Sequence, residues 1–330
     1  MKILIVGYGS IGRRHAKNFL EFADVAVFDE NLSDLNFLNP QIRSFDNLDT
    51  ALDWKPDGVV IATPHHTHIP LAEKAIHSNA HVLIEKPISH SLEGVQLLLS
   101  EAKQRKRQLF VVCNMRYHPG IATLQQYLHT IGKPLFARAH VGNYLANMRP
   151  DKDYRSLYCA HRSQGGGVIL DAIHEIDYLM WLFGPIREVS CRAEKLSNMD
   201  IDVEDFACLY LKHHNMTISE IQMDYLRSFK RRGCEIVGTR GMLLWLSEGK
   251  NPEICTVKLY EKNTETWETV FVDENFDKNK PYVRLARQFI EAIKNAHSSL
   301  LTGETAFSEL HIALAAHKSA STKNGAFVSI

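Results

Sequence analysis

The sequence predicts a doubly wound α/β domain with a parallel sheet, followed by an α+β domain built on a large, mainly antiparallel sheet. Short β-rich runs alternate with helix-period segments through the first third of the chain, as the strands and crossover helices of a parallel sheet do. From about Pro119 the texture changes to longer strand-like runs with few helices between them. The length of 330 residues exceeds what one hydrophobic core usually organises, so two domains are expected, 1–118 and 119–330.

In the first domain the expected strands are ILIV (3–6), VAVF (25–28), GVVIAT (58–63), HVLIE (81–85) and QLFVVC (108–113). Between them the apolar period predicts helices from Ile11, near 47–54, over 68–78 and over 91–105. A helix at 119–131 opens the second domain, and strand-like runs follow at 134–145, 186–196, 204–213, 216–226, 233–246 and 254–260. Only a helix at 168–183 and C-terminal helices near 281–296 and 304–320 interrupt them. Tight turns at His213-His214-Asn215 and Gly238-Thr239-Arg240-Gly241 suit consecutive antiparallel strands.

Lysine plus arginine equals aspartate plus glutamate at 38 each, so no global field draws the chain to nucleic acid or to an anionic membrane. No stretch approaches the roughly 20 apolar residues of a spanning helix, and the apolar start MKILIVG reads as a first strand. The six cysteines form no CxxC pair and sit mostly in apolar runs, the pattern of reduced thiols and of a cytoplasmic protein.

The loop Gly7-Tyr8-Gly9-Ser10-Ile11-Gly12 follows the first strand directly and opens a helix. In that context Gly7 permits a tight turn, Gly9 lets a pyrophosphate approach the backbone, and Gly12 allows close helix–strand packing, the dinucleotide-binding fingerprint of a Rossmann fold. The second strand ends at Asp29, where a carboxylate accepts hydrogen bonds from an adenine ribose and repels a 2′-phosphate, which favours NAD. Arg13 and Arg14 keep NADP open, their plainer reading being solvated residues of the first helical turn.

Two further strand ends carry polar clusters, Thr63-Pro64-His65-His66-Thr67-His68 and Glu85-Lys86-Pro87, at the carboxyl edge where such sheets bind ligands. Thr63, Pro64, His68, Glu85 and Lys86 are therefore candidates on the cofactor side. The histidine-rich segment lacks a carboxylate or cysteine at ligand spacing, so no metal is assigned to it.

These segments together resemble the glucose-fructose oxidoreductase / inositol dehydrogenase (Gfo/Idh/MocA) family. The matching stretches are VGYGSIGRRH (6–15), ATPHHTH (62–68), HVLIEKPIS (81–89), NMRYHP (114–119), GGGVILDAIHEIDYLMWLFG (165–184) and IVGTRGMLLW (236–245). The resemblance implies a second domain with an open-faced sheet, substrate held between that sheet and the nicotinamide, and a homodimer or homotetramer formed through the open face. It also implies that Lys86 contacts the reacting substrate and the nicotinamide region, that His174 is the general acid/base, that Asp171 is its accompanying carboxylate, and that Arg116 lies on the cofactor side. Relatives commonly space the aspartate and histidine four residues apart, whereas Asp171 and His174 are three apart; both spacings suit one face of a single helix. His65 stands where an asparagine is usual.

Oxidation of a secondary alcohol needs a hydride acceptor at the carbinol carbon and a base for the hydroxyl proton. A histidine, with an unperturbed pKa of about 6.5, suits the second task, and a lysine ammonium stabilises the developing oxyanion. Glycines 165 to 167, just upstream of His174, are expected to let backbone approach substrate. In the loop 144–167, Arg149, Tyr154, Arg155 and Arg162 are candidate binders of a carboxylate or a nucleotide-sugar pyrophosphate, or else pair with Asp151 and Asp153.

The expected function is hydride transfer between NAD(P) and a secondary hydroxyl or ketone of a sugar or nucleotide-sugar. Two alternatives stay open. One is redox-neutral use of NAD for epimerisation, elimination or glycoside cleavage; the other is a non-catalytic dinucleotide-binding regulator, against which the joint presence of Lys86, Asp171 and His174 speaks.

Overall fold

A computed structural model describes residues 1–30, 39–249, 252–295, 301–322 and 327–329. Two compact units emerge, one formed by Met1–Asn114 with Lys278–Leu310 and the other by Met115–Asp277 with His311–Ile330.

The first unit is a seven-stranded sheet. Its six parallel strands are β1 (Lys2–Val6), β2 (Asp24–Phe28), β3 (Arg43–Phe45), β4 (Gly58–Ile61), β5 (His81–Ile84) and β6 (Leu109–Val111), ordered 6-5-4-1-2-3 in space. The short strand β15 (Leu301–Thr302) adds antiparallel to β6. Helices α1 (Ser10–Phe19), α2 (Leu48–Asp53), α3 (His68–His77) and α4 (Val95–Gln104) form the crossovers. The strands are continuous apolar runs because both sheet faces are covered, with Ile3, Leu4, Ile5, Val60 and Leu83 fully buried. The strand order reverses beside β1, so the carboxyl ends of β1 and β4 frame the crevice where this architecture takes its ligand.

Residues 278–310 were expected in the second domain and instead cluster with the first. Helix α9 (Lys280–Asn295) buries Leu285, Ala286, Phe289 and Ile290. Phe289 meets Phe19 edge-on at 6.0 Å and Phe110 at 6.3 Å. A methyl group on Gly58 would stand 2.8 Å from Phe289, so the helix rests directly on β4. Amphipathic periodicity shows that such a helix has an apolar stripe, not which sheet the stripe covers. Strand β3 was also unforeseen, since its RSF sequence is polar and barely buried.

The second unit carries a nine-stranded sheet ordered β14-β13-β12-β11-β7-β10-β9-β8-β16. Its strands are β7 (Pro134–Gly142), β8 (Ile186–Glu194), β9 (Phe206–His213), β10 (Ile218–Asp224), β11 (Arg231–Gly238), β12 (Gly241–Glu248), β13 (Ile254–Glu261), β14 (Thr266–Asp273) and β16 (Val328–Ser329). All pairings are antiparallel except β7 with β10. Strand β14 escaped the sequence pattern because its first four residues are all exposed and show no apolar alternation. Helix α5 (Pro119–Tyr127) lies on β12 and β13, and α8 (His174–Phe183) touches β7. On the opposite face Phe136, Tyr210 and Ile218 are exposed, so the sheet is open-faced there. Helix α10 (Gly303–Ala320) begins in the first unit and ends in the second.

Candidate active site

In the first unit, the three glycines of the opening loop do three different things. Gly7 has φ +91°, and a Cβ there would lie 2.7 Å from the Ala62 carbonyl oxygen, so the turn between β1 and α1 admits no side chain. Gly12 faces the Gly7 carbonyl oxygen so closely that a Cβ would overlap it at 1.9 Å. Around the Cβ position of Gly9 nothing stands within 4 Å, and no side chain caps the helix it precedes. Unsatisfied N–H groups at an uncapped helix N-terminus, beside an open glycine, suit an anionic phosphate. The residues therefore fit a dinucleotide. Tyr8, Ser10 and Ile11 complete the loop, and the Tyr8 N–H donates to the Asp29 carboxylate at 2.6 Å, which draws Asp29 to the loop.

Arg13 donates to the Tyr8 carbonyl at 3.2 Å and stacks over the Tyr8 ring, while Arg14 lies over Tyr282 at 4.8 Å. Arg13 thus borders the loop, and Arg14 serves the packing of α9.

At the end of β4, the Thr63 hydroxyl accepts from Thr67 at 2.7 Å, and Pro64 leads into a short 3-10 turn at His65–Thr67. His68 is fully buried, its Nδ1 2.9 Å from the Pro87 carbonyl and its Nε2 2.9 Å from the Thr63 carbonyl. Burial lowers its pKa against the pull of those two carbonyls. A ring held by backbone on both edges joins the two strand-end loops instead of presenting an edge to ligand. Glu85 is likewise committed inward, to the buried His15 of α1 at 2.8 Å. That pair ties the glycine-loop helix to the strand end bearing Lys86, which is part-buried and precedes a cis Lys86-Pro87 bond.

In the second unit, the expected helix 168–183 is broken: α7 (Val168–Asp171) ends and α8 begins at His174, with Ala172 at φ −96° and ψ 28° between them. Asp171 and His174 therefore sit on separate helices, not on one helical face. The Tyr158 hydroxyl donates to Asp171 Oδ1 at 2.8 Å. Burial first, then the charge of Asp171, drives the Tyr158 pKa well up, while Arg149 opposes.

His174 is 8% exposed and shares the first turn of α8 with Glu175 and Asp177, both fully buried. Negative charge there is favoured by the helix dipole, and each acid has an arginine. Arg116 donates to Asp177 Oδ1 through Nε at 2.8 Å and through Nη2. Arg232, on β11, grips Glu175 through Nε at 2.6 Å and Nη2 at 2.8 Å. Burial disfavours the Arg232 charge, yet Glu175 outweighs that and raises its pKa. A ring nitrogen of His174 and a carboxylate oxygen of Asp177 lie within 4.8 Å. Arg116, expected on the cofactor side, belongs to the second unit and anchors the helix of His174.

Three of the four loop candidates are engaged within the protein, Arg155 inside the loop and the other two with the segment at Asp200–Asp202. Arg155 pairs with Asp153, the alternative foreseen for it; the Tyr154 hydroxyl accepts from the Asp200 N–H at 3.2 Å; and Arg162 donates to the Asp202 carbonyl at 3.1 Å. Arg149 is part-buried near Tyr158. Gly166 and Gly167 do not open backbone to a ligand. A Cβ on Gly166 would stand 2.7 Å from the carbonyl oxygens of Tyr158, Cys159 and His161, and one on Gly167 2.3 Å from Glu204.

Sequence reasoning missed Tyr158, Glu175, Asp177, Arg232 and His15. Two acids on the otherwise apolar HEIDYLMWLF stretch were a readable signal, because acids buried at such positions need partners. Arg232 is 57 residues from Glu175 and carried none.

Residues 1–113 match the family model for an oxidoreductase family with an NAD-binding Rossmann fold, and residues 123–244 match the Gfo/Idh/MocA C-terminal domain. The UDP-N-acetylglucosamine 3-dehydrogenase of Acidithiobacillus ferrooxidans is 31% identical over 67% of this chain, a match spanning 66% of that relative, just under two thirds of its length. The myo-inositol 2-dehydrogenase of Thermotoga maritima is 23% identical over 98% of this chain and 97% of its own. Among solved structures, a levoglucosan dehydrogenase in complex with NADH and levoglucosan superposes with a TM-score of 0.85 at 18% identity, covering 100% of this chain and 99% of its own. At that identity it establishes the shared fold.

Proposed function

Because this chain belongs to the Gfo/Idh/MocA family of oxidoreductases and its first domain is an NAD-binding Rossmann fold, we propose that it transfers hydride between NAD and a secondary hydroxyl or ketone of a sugar or nucleotide-sugar. The observation that carries this reading is the arginine-clamped first turn of α8, which carries a buried histidine beside two acids.

The glycine loop, the α1 N-terminus and Asp29 hold the dinucleotide, which when bound supplies the hydride acceptor. His174 takes the hydroxyl proton at its ring, and Asp171 stabilises the imidazolium that results. The Lys86 ammonium stabilises negative charge on the substrate oxygen. In the reverse direction His174 returns the proton to the carbonyl oxygen. Arg149 is the loop candidate that meets an anionic substituent such as a phosphate or carboxylate. The exposed Phe136, Tyr210 and Ile218 make the open sheet face the contact of a homodimer or homotetramer. Six free cysteines, five of them buried, suit a reducing compartment such as the cytoplasm.

The test is to mix the purified protein with NAD and, separately, UDP-N-acetylglucosamine, glucose 6-phosphate and myo-inositol, following NADH and sugar together. Accumulating NADH supports the reading. Sugar turnover without NADH would assign redox-neutral chemistry, and no turnover of any sugar would sink it.

A further inference from the structure

We infer that Tyr158 is a positioning residue for Asp171, a fixed hydrogen-bond donor that keeps this carboxylate ionised and aimed. The inference rests on the proposed roles of Asp171 and His174. Thirteen residues separate the two partners, and the chain between them is built to bring them together. Tyr158 opens a 3-10 turn between the buried Leu157 and Cys159. Its carbonyl accepts from the His161 N–H at 3.0 Å, which holds the turn. Gly165 and Gly167, at φ +79° and +105°, then reverse the chain into α7, and the Gly166 backbone closes on the Tyr158 carbonyl with no room for a side chain. At the end of α7 the Asp171 N–H donates to the Gly167 carbonyl at 3.0 Å, fixing the aspartate backbone against the same glycine turn. The outcome is the 2.8 Å bond from the Tyr158 hydroxyl to Asp171 Oδ1.

A hydroxyl can donate or accept, so its proton matters. Burial and the neighbouring Asp171 both resist ionisation of Tyr158, which therefore remains a donor throughout the working pH range. A donor on a carboxylate favours the charged form and restricts its rotation. An ionised, immobile Asp171 favours the imidazolium formed when His174, three residues beyond it, accepts a proton. This also explains the glycine run: it serves the approach of Tyr158 to Asp171.

The test uses the full-length protein and two readouts. The Asp171 carboxyl is titrated by 13C NMR without substrate, identified by its loss in Asp171→Asn. Tyr158→Phe is expected to raise its midpoint by about one pH unit. Tyr158→fluorotyrosine, which keeps the ring and strengthens the donor, is expected to lower it. In turnover, Tyr158→Phe is expected to reduce kcat about tenfold, with KM for NAD unchanged. The same change in an Asp171→Asn background is expected to add little, because Tyr158 acts through Asp171. An unmoved Asp171 titration in both Tyr158 variants overturns the inference, as does an undiminished Tyr158→Phe penalty in the Asp171→Asn background. Since the titration needs no turnover, a wild type inactive on every sugar would overturn the hydride-transfer reading and leave Tyr158 to be decided by the NMR result.

Discussion

Arg232 holds Glu175 with two parallel hydrogen bonds, Nε at 2.6 Å and Nη2 at 2.8 Å, and Glu175 is fully buried next to His174. Removing the arginine leaves a carboxylate desolvated and alone. Arg232→Met is expected to cost about 3–5 kcal/mol in urea unfolding, whereas Arg232→Met with Glu175→Gln is expected to recover most of that loss. Equal stabilities for the single and double variants would contradict the pairing.

Lys86→Ala and His174→Ala are each expected to lower turnover about a hundredfold or more, since they act on charge and proton transfer. NAD binding, followed by fluorescence titration, should change little in either. Wild-type turnover in both would remove them from the chemistry.

The glycines of the first loop separate folding from binding. Gly9→Ala adds a methyl into open space at φ −69° and is expected to leave the melting temperature unchanged while weakening NAD. Gly12→Ala drives a methyl into the Gly7 carbonyl and is expected to lower both stability and NAD affinity. Calorimetry paired with NAD titration distinguishes the two patterns.

Asp29→Ala removes the carboxylate that accepts from the Tyr8 N–H. It is expected to weaken NAD more than NADP, because the lost group favours a ribose hydroxyl and repels a 2′-phosphate. A larger loss for NADP in competition binding would reverse the assignment.

Burial first, then the charges of Arg227 and Arg231, pushes His140 down to about 4. Unfolded histidine titrates at about 6.5. Below that pH the unfolded chain binds a proton that the folded chain refuses, so the stabilisation is complete above about 6.5 and is lost as pH falls toward about 4. His140→Gln is expected to flatten this decline, read from urea midpoints across that range.

The dinucleotide half of the protein was legible because its chemistry is local. Gly7, Gly9 and Gly12 lie within six residues, Asp29 directly follows the next strand, and the alternation of apolar runs reports a parallel sheet covered on both faces. Each of these depends on neighbours in sequence, so pattern alone conveys it. Lys86, Asp171 and His174 came from motif resemblance and remain roles to be tested.

What only the tertiary structure decided depends on partners far apart in the chain. The apolar stripe of α9 covers the first sheet, through Phe289 on Phe19 and Phe110. His68 and Glu85, read as facing cofactor, bind the Pro87 and Thr63 carbonyls and His15. Arg116 and Arg232 find Asp177 and Glu175 at separations of 61 and 57 residues. The break between α7 and α8 lets Asp171 meet Tyr158, which no periodicity foretells. A buried charge is stable only with its partner, and which partner that is follows from how the strands and helices are brought together in space.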